Sequence, residues 1–143
     1  MQVCEVMTKR AECISPKANL QQAAERMKEL DVGALPVCDN DRLTGMLTDR
    51  DIILRCVCEG HDPRADRVGD TMTPKIIYCF EDDDVTKAVD LMIAKQVRRL
   101  PVLNHDKRLV GMLALGDLAV ESGAQQLAGN ALEGVSKPSS PKR

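Results

Sequence analysis

The residues best suited to chemistry lie in one short run, Gly45-Met46-Leu47-Thr48-Asp49-Arg50-Asp51. An apolar stretch that reads as a strand ends at Leu47, and a helix begins. A strand-to-helix junction leaves backbone N–H groups free and favours an anion such as phosphate. Thr48 adds a hydroxyl, and Asp51 adds a carboxylate suited to accept hydrogen bonds from a ribose diol. The same Thr-x-x-Asp spacing ahead of an apolar run is also a capping-box pattern that needs no ligand. A second copy, Gly111-Met112-Leu113-Ala114-Leu115-Gly116-Asp117, keeps the carboxylate and loses the hydroxyl. Arg98 and Arg99 precede Leu100-Pro101-Val102, where the first copy has Gly33 and Ala34. Adjacent arginines are either a solvated pair or, facing a cleft, an anion clamp.

Little else resembles a reacting group. The two histidines, His61 and His105, fall in loop-like segments, and no Ser/His/Asp or Cys/His constellation is legible. No Walker-type or dinucleotide-binding glycine loop occurs. Asp82, Asp83 and Asp84 stand ahead of Val85, Ala88, Val89 and Met92, where acidic residues suit a helix start better than a metal. Cys4, Cys13, Cys38, Cys56, Cys58 and Cys79 include no CxxC pair. In a cytosolic chain they read as reduced thiols. Cys13 and Cys79 take nearly equivalent positions in the two copies, which allows them to approach across a pseudo-twofold axis.

The elements that must carry these residues are themselves duplicated. "VGALPVCDNDRLTGMLTDRDI" from Val32 recurs as "VRRLPVLNHDKRLVGMLALGDL" from Val97, and Met7-Thr8 recurs as Met72-Thr73. In the first copy Leu20, Ala23, Ala24, Met27 and Leu30 keep helical spacing, with Asn19 or Ser15 as the cap. Two short strands joined by a polar turn follow, then a helix from about Asp49 with Ile52, Ile53 and Val57 on it. The expected division is a first repeat over 1–60, a Gly/Pro-rich linker over 61–70, a second repeat over 71–122 and a polar C-terminal tail over 123–143. The Pro/Ser/Lys-rich end of that tail reads as disordered. Each repeat reads strand–helix–strand–strand–helix, an α+β unit of a size that is marginal alone.

Composition narrows the function classes. Of 143 residues, 43% are hydrophobic and 29% charged, with a net charge of -2. That balance is globular and argues against nucleic-acid binding driven by bulk charge. Aromatics are 1% of the chain, so a flat ring must be held between aliphatic side chains rather than stacked on aromatic ones. No apolar run approaches the ~18 residues of a membrane span, and the N-terminus lacks a signal peptide's apolar core. The expected location is cytoplasmic, with no membrane and no nucleic-acid partner.

The duplicated pattern of Met-Thr, helix, Leu-Pro-Val, Gly-Met-Leu and closing Asp resembles a tandem pair of CBS domains, a Bateman module. The resemblance covers about Val3 to Val120 and is nearest to stand-alone bacterial CBS-pair proteins. It implies two β-α-β-β-α repeats packed about a pseudo-twofold axis, with an adenosine nucleotide such as AMP or ATP in clefts between them. Carried over, Asp51 holds the ribose, Thr48 reaches the ribose or phosphate, and Met46 lines the base. Thr73, Ile77, Arg98 and Arg99 supply the complementary wall. A weaker second cleft pairs Asp117 with Val32, Gly33, Ala34 and Leu35. The resemblance implies no enzyme activity, no bound metal or cofactor, a homodimer built on exposed helix faces, and an unidentified downstream protein. The alternative is a ligand-free homodimeric scaffold or a thiol-responsive stress protein, with Thr48 and Asp51 acting only as a helix cap.

Overall fold

The structure, a computed structural model, describes residues 1–9, 12–74, 76–121 and 124–137. The fold is mixed α+β and contains the two expected repeats. The chain gathers into two compact units: Met1–Ala11 with Ile77–Arg143, here unit 1, and Glu12–Ile76, here unit 2. These units do not follow the division read from the sequence, because the N-terminal segment of the first repeat belongs to the unit of the second.

In unit 2 the helix α1 (Leu20–Leu30) forms where predicted. Asn19 caps it, its Oδ1 accepting from Gln22 N–H at 2.8 Å while Gln22 Oε1 accepts from Asn19 N–H at 2.9 Å. Leu20, Ala23 and Met27, spaced three and four apart, turn into the core. Strand β2 (Ala34–Asp39) pairs antiparallel with β3 (Arg42–Thr48). Asn40 and Asp41 join them with φ of 51° and 68°, the left-handed geometry a two-residue hairpin needs. Helix α2 (Asp49–Ile52) runs straight into a π-helical turn over Ile53–Val57. The expected linker is not free. Pro63 and Asp66 carbonyls accept from Gln21 and Leu20 N–H, and helix α3 (Val68–Thr71) buries Val68 completely.

Unit 1 carries a four-stranded sheet in the order β1-β6-β5-β4, where β1 is Thr8–Lys9, β4 Cys79–Phe80, β5 Arg99–Leu103 and β6 Leu109–Ala114. Helix α4 (Val85–Lys95) is capped by Asp84, whose Oδ1 accepts from Thr86 N–H at 2.9 Å. The acidic run is thus a cap, as its position predicted. Helix α5 (Leu115–Val120) follows β6 directly.

Two glycines admit the exchanged Met-Thr segments. A Cβ added at Gly111 would stand 2.7 Å from Met7 Sδ and from the Thr8 carbonyl oxygen; one at Gly45 would stand 2.7 Å from Met72 Sδ and from the Thr73 oxygen. Each Gly-Met-Leu therefore receives a Met-Thr backbone that no side chain would admit. Thr8 pairs with Met112 in the sheet of unit 1, and Thr73 exchanges both backbone hydrogen bonds with Met46 in unit 2.

The C-terminal segment corrects the sequence reading. Gln125–Ser136 is helix α6 rather than a polar tail, with Ala128, Ala131, Gly134 and Val135 buried. Its buried residues are mostly small, which lets the helix lie close. A Cβ at Gly134 would meet Ile93 Cγ1 at 2.6 Å, and Gln96 Nε2 donates to the Gly134 carbonyl at 2.8 Å. Residues 138–143, part of the segment expected to be disordered, lie outside the described residues. Among the described residues no helix is long and apolar enough to cross a membrane.

Candidate functional site

Thr48 ends β3 and caps α2. Asp51 N–H donates to Thr48 Oγ1 at 3.0 Å, and Asp51 Oδ2 accepts from Thr48 N–H at 3.0 Å. The capping box is therefore made. It uses one carboxylate oxygen and leaves Oδ1, which stands 3.8 Å from Arg55 Nη2. The Thr48 hydroxyl proton also remains available to donate.

The free N–H groups expected at this junction are not free. Asp49 N–H donates to the Gly33 carbonyl at 2.9 Å, Arg50 N–H to Asp49 Oδ1 at 2.8 Å and Asp51 N–H to Thr48. With Asp49 and Asp51 both in the first turn, the helix start offers carboxylates rather than an anion cradle. The acceptor chemistry for a sugar diol survives, and the phosphate chemistry of the backbone does not.

Arg55 supplies the positive charge, and the sequence reading missed it. Its Nη1 donates to the Thr71 carbonyl at 2.7 Å and to Thr73 Oγ1 at 3.3 Å, which ties the π-helical turn to the Met-Thr segment. The available signal was its position one helical turn after Asp51. Unit 2 thus brings together Met46, Thr48, Asp51 and Thr73 of the predicted residues and adds Arg55.

Ile77, Arg98, Arg99 and Asp117 lie in unit 1. Ile77 packs against the core of that unit. Asp117 Oδ2 accepts from Ala114 N–H at 2.8 Å, which is half of a capping box, since Ala114 has no side-chain acceptor. Arg99 pairs with Ala114 across the sheet, and the Arg98 carbonyl accepts from Leu115 N–H. The residues expected opposite Asp117 lie in unit 2. There Ala34 pairs with Thr48, Gly33 bonds Asp49, and Val32 is partly exposed. Leu35 is 2% exposed in the core, so its side chain has no surface to offer a ligand.

The thiols divide by burial. Cys38 neighbours Cys13 in unit 2, where its N–H donates to the Ile14 carbonyl at 3.0 Å, and burial together with that neighbour pushes its pKa well up. Cys79, beneath the Pro101 carbonyl of unit 1, is pushed up to about 12, mainly by burial. Cys58 is exposed. Both histidines pair with carboxylates: His61 Nδ1 with Asp66 at 2.8 Å and His105 Nε2 with Asp82 at 2.7 Å. His105 also stacks on Phe80. Among the described residues no group of three or more His, Cys, Asp or Glu side chains is placed to hold a metal.

Comparison with known proteins extends this geometry. The CBS domain model matches residues 3–57 and 68–122. The CBS domain-containing protein YhcV of Bacillus subtilis is 40% identical over 134 residues, 94% of each chain. Hypoxic response protein 1 of Mycobacterium tuberculosis is 38% identical over 116 residues, 80% of each chain. A crystal structure of Hypoxic Response Protein I with two coordinated zinc ions has a TM-score of 0.77 at 37% identity, over 83% of this chain and 97% of that one. A crystal structure of CBSX2 in complex with AMP has a TM-score of 0.71 at 28% identity, over 90% and 96%.

Proposed function

The chain belongs to the CBS-domain family as a tandem pair, and on that premise we propose that it is a non-catalytic regulatory module. It binds an adenosine nucleotide of the AMP, ADP or ATP class beside Thr48 and Asp51 and signals as a homodimer to a downstream protein. The observation that carries this reading is Asp51 Oδ1, which the cap leaves without a hydrogen bond among the described residues and which ion-pairs only loosely with the Arg55 guanidinium at 3.8 Å. Asp51 takes the ribose diol, Met46 the base and Arg55 the anionic end. An AMP complex of a structural relative supports the ligand class.

The homodimer reading is supported by an apolar face on the π-helical turn. Ile53, Leu54 and Val57 are 57%, 46% and 61% exposed, a contiguous patch of the kind that marks an association surface. A nucleotide signals through such a dimer only by differing in affinity for its two states. The test is a thermal denaturation series with AMP, ADP, ATP and GMP. A ligand at a hundred times its Kd stabilises the native state by about 2.7 kcal/mol. An adenine-selective rise in midpoint supports the reading, and no rise at millimolar nucleotide contradicts it.

One observation favours a second reading. The Ile14–Val37 bridge, which carries Cys13 and Cys38 as neighbours, gives unit 2 a pair that a peroxide could join, forming the S–S bond and two waters from two S–H groups and one peroxide. Loss of two hydrogens by intact mass after peroxide treatment, reversed by a thiol reductant, identifies it. No mass change excludes it.

A further inference from the structure

The chain's only tyrosine and only phenylalanine stand together at the edge strand β4 of unit 1. Tyr78 and Phe80 meet edge to face, with ring centroids 5.6 Å apart and planes at 90°. Phe80 pairs with Leu103, at the opposite end of β5 from Arg99. Both rings line a cavity of about 490 Å3 that lies wholly within unit 1. Lys87, Asp90, Leu91 and Ala94 form its other wall, at the three- and four-residue spacing of one face of α4. The charges of this wall do not cancel. Asp83, just ahead of the helix, is committed: its Oδ2 accepts from Phe80 N–H at 2.9 Å, and its Oδ1 stands 3.4 Å from Lys87 Nζ. Asp90 makes no hydrogen bond or ion pair with any described residue, which leaves the cavity one negative charge.

The other repeat shows what this face of the helix takes. Ile14 bridges Val37 in parallel as Cys79 pairs with Val102, so the two units correspond at a sequence offset of 65. Leu91 and Ala94 then stand where unit 2 has Arg26 and Glu29. There the Arg26 guanidinium ion-pairs with Glu29 at 3.2 Å and with Glu12 ahead of the bridge. Unit 2 thus holds a guanidinium of its own on this face of α1. In unit 1 a leucine replaces that arginine, and a free carboxylate and two aromatic rings line an open space instead. Its volume is in the ~300–1,000 Å3 range of small-molecule sites. A guanidinium is the cation that both pairs with a carboxylate and lies flat on an aromatic face, whereas a compact ammonium is more strongly hydrated. We propose that this cavity binds a small guanidinium compound, its head against Asp90 and the two rings and its short aliphatic chain along Leu91 and Ala94, at a site separate from the nucleotide site.

The test is calorimetric titration of the full chain with butylguanidinium, butylammonium and butylurea, the last a neutral isostere. Saturable binding is expected for butylguanidinium, at least tenfold tighter than for butylurea and at least threefold tighter than for butylammonium. Asp90→Asn removes the free charge at an exposed position, so it keeps the fold; it should weaken butylguanidinium at least tenfold and leave ATP affinity unchanged. Leu91→Arg with Ala94→Glu copies Arg26 and Glu29 and should abolish binding, by filling the cavity with the chain's own guanidinium. Tyr78→Leu should remove the preference over butylammonium. The proposal falls if butylguanidinium does not saturate, if butylurea or butylammonium binds as tightly, if Asp90→Asn binds like the wild type, or if Tyr78→Leu keeps the preference. It falls equally if Asp90→Asn loses ATP or Asp51→Ala loses butylguanidinium, since either result merges this cavity with the nucleotide site. Acetyl-Gly-Arg-Gly-amide tests the source of the guanidinium. Binding at least tenfold tighter than butylguanidinium assigns the cavity to an arginine of a protein chain and overturns the small-molecule assignment. A change of oligomeric mass in Asp90→Asn, read by light scattering, makes the cavity an interface between copies and overturns it too.

Discussion

Replacing Asp51 with alanine separates the two roles that one carboxylate plays. Its Oδ2 holds the Thr48 N–H at 3.0 Å, and its Oδ1 faces away from that bond toward Arg55. Losing the cap bond should lower stability by about 1 kcal/mol, or roughly 4 °C in melting midpoint for a chain of this size. Asp117→Ala removes the equivalent bond to Ala114 N–H, so it should lower stability by a similar amount. The two variants part company at the ligand. A hydrogen bond to a charged acceptor contributes ~1.5–3 kcal/mol, and about 1.4 kcal/mol is a factor of ten in Kd. Counting only the free Oδ1, Asp51→Ala should weaken the tighter adenosine-nucleotide site at least tenfold, and Asp117→Ala should leave that site alone. Calorimetric titration of ATP and AMP into wild type and both variants decides it. Equal affinity in wild type and Asp51→Ala would refute the ribose role and leave Asp51 a cap.

Other outcomes follow from the same geometry. Gly45→Ala sets a Cβ against the Thr73 carbonyl and Met72, so overpacking should lower stability by about 1–3 kcal/mol, whereas Gly116→Ala meets open space and should not lower it; thermal melts of the pair check this. Ile53→Asp combined with Val57→Asp should convert a dimer to a monomer by light scattering, with the helical circular-dichroism signal kept. The pKa of His105 is raised by its hydrogen bond to Asp82 and by that carboxylate's charge, and Asp82 is lowered by the same pair. The His105 contribution is present at low pH and fades as pH rises through its raised pKa. That of Asp82 is present above the ordinary carboxylate range and fades as pH falls. The pair is therefore strongest between the two, and an NMR titration should find the His105 pKa returning toward 6.5 in Asp82→Asn. Iodoacetamide at neutral pH should label Cys58 in the folded protein and spare Cys38 and Cys79, as mass mapping will read.

What was legible in the sequence was what repeats or alternates. Leu-Pro-Val and Gly-Met-Leu announce paired strands because one face of each must be buried. Asn19 and Asp84 announce helices because few residues can hold an N-terminal N–H group. Thr48 and Asp51 were found by spacing, yet spacing alone did not separate cap from ligand site. The structure makes the cap and leaves one oxygen over. Arg55 was passed over because its partners, Thr71 and Thr73, lie beyond the connection and meet it only through the fold. Helix α6 escaped because its buried residues are the small Ala128, Ala131 and Gly134 rather than large apolar ones; their value is the close approach they allow to α4. The position of β1 was hidden for a related reason. A glycine opposite a Met-Thr backbone leaves a mark in the sequence, but either Met-Thr fits either glycine.

Native mass spectrometry of the full chain, as purified and after incubation with AMP, ADP and ATP, tests the central claim most directly, since it reads oligomer and retained ligand in one spectrum. The account predicts a dimer that carries adenosine nucleotide and loses it in Asp51→Ala. A spectrum of bare protein under every one of these nucleotides would contradict it.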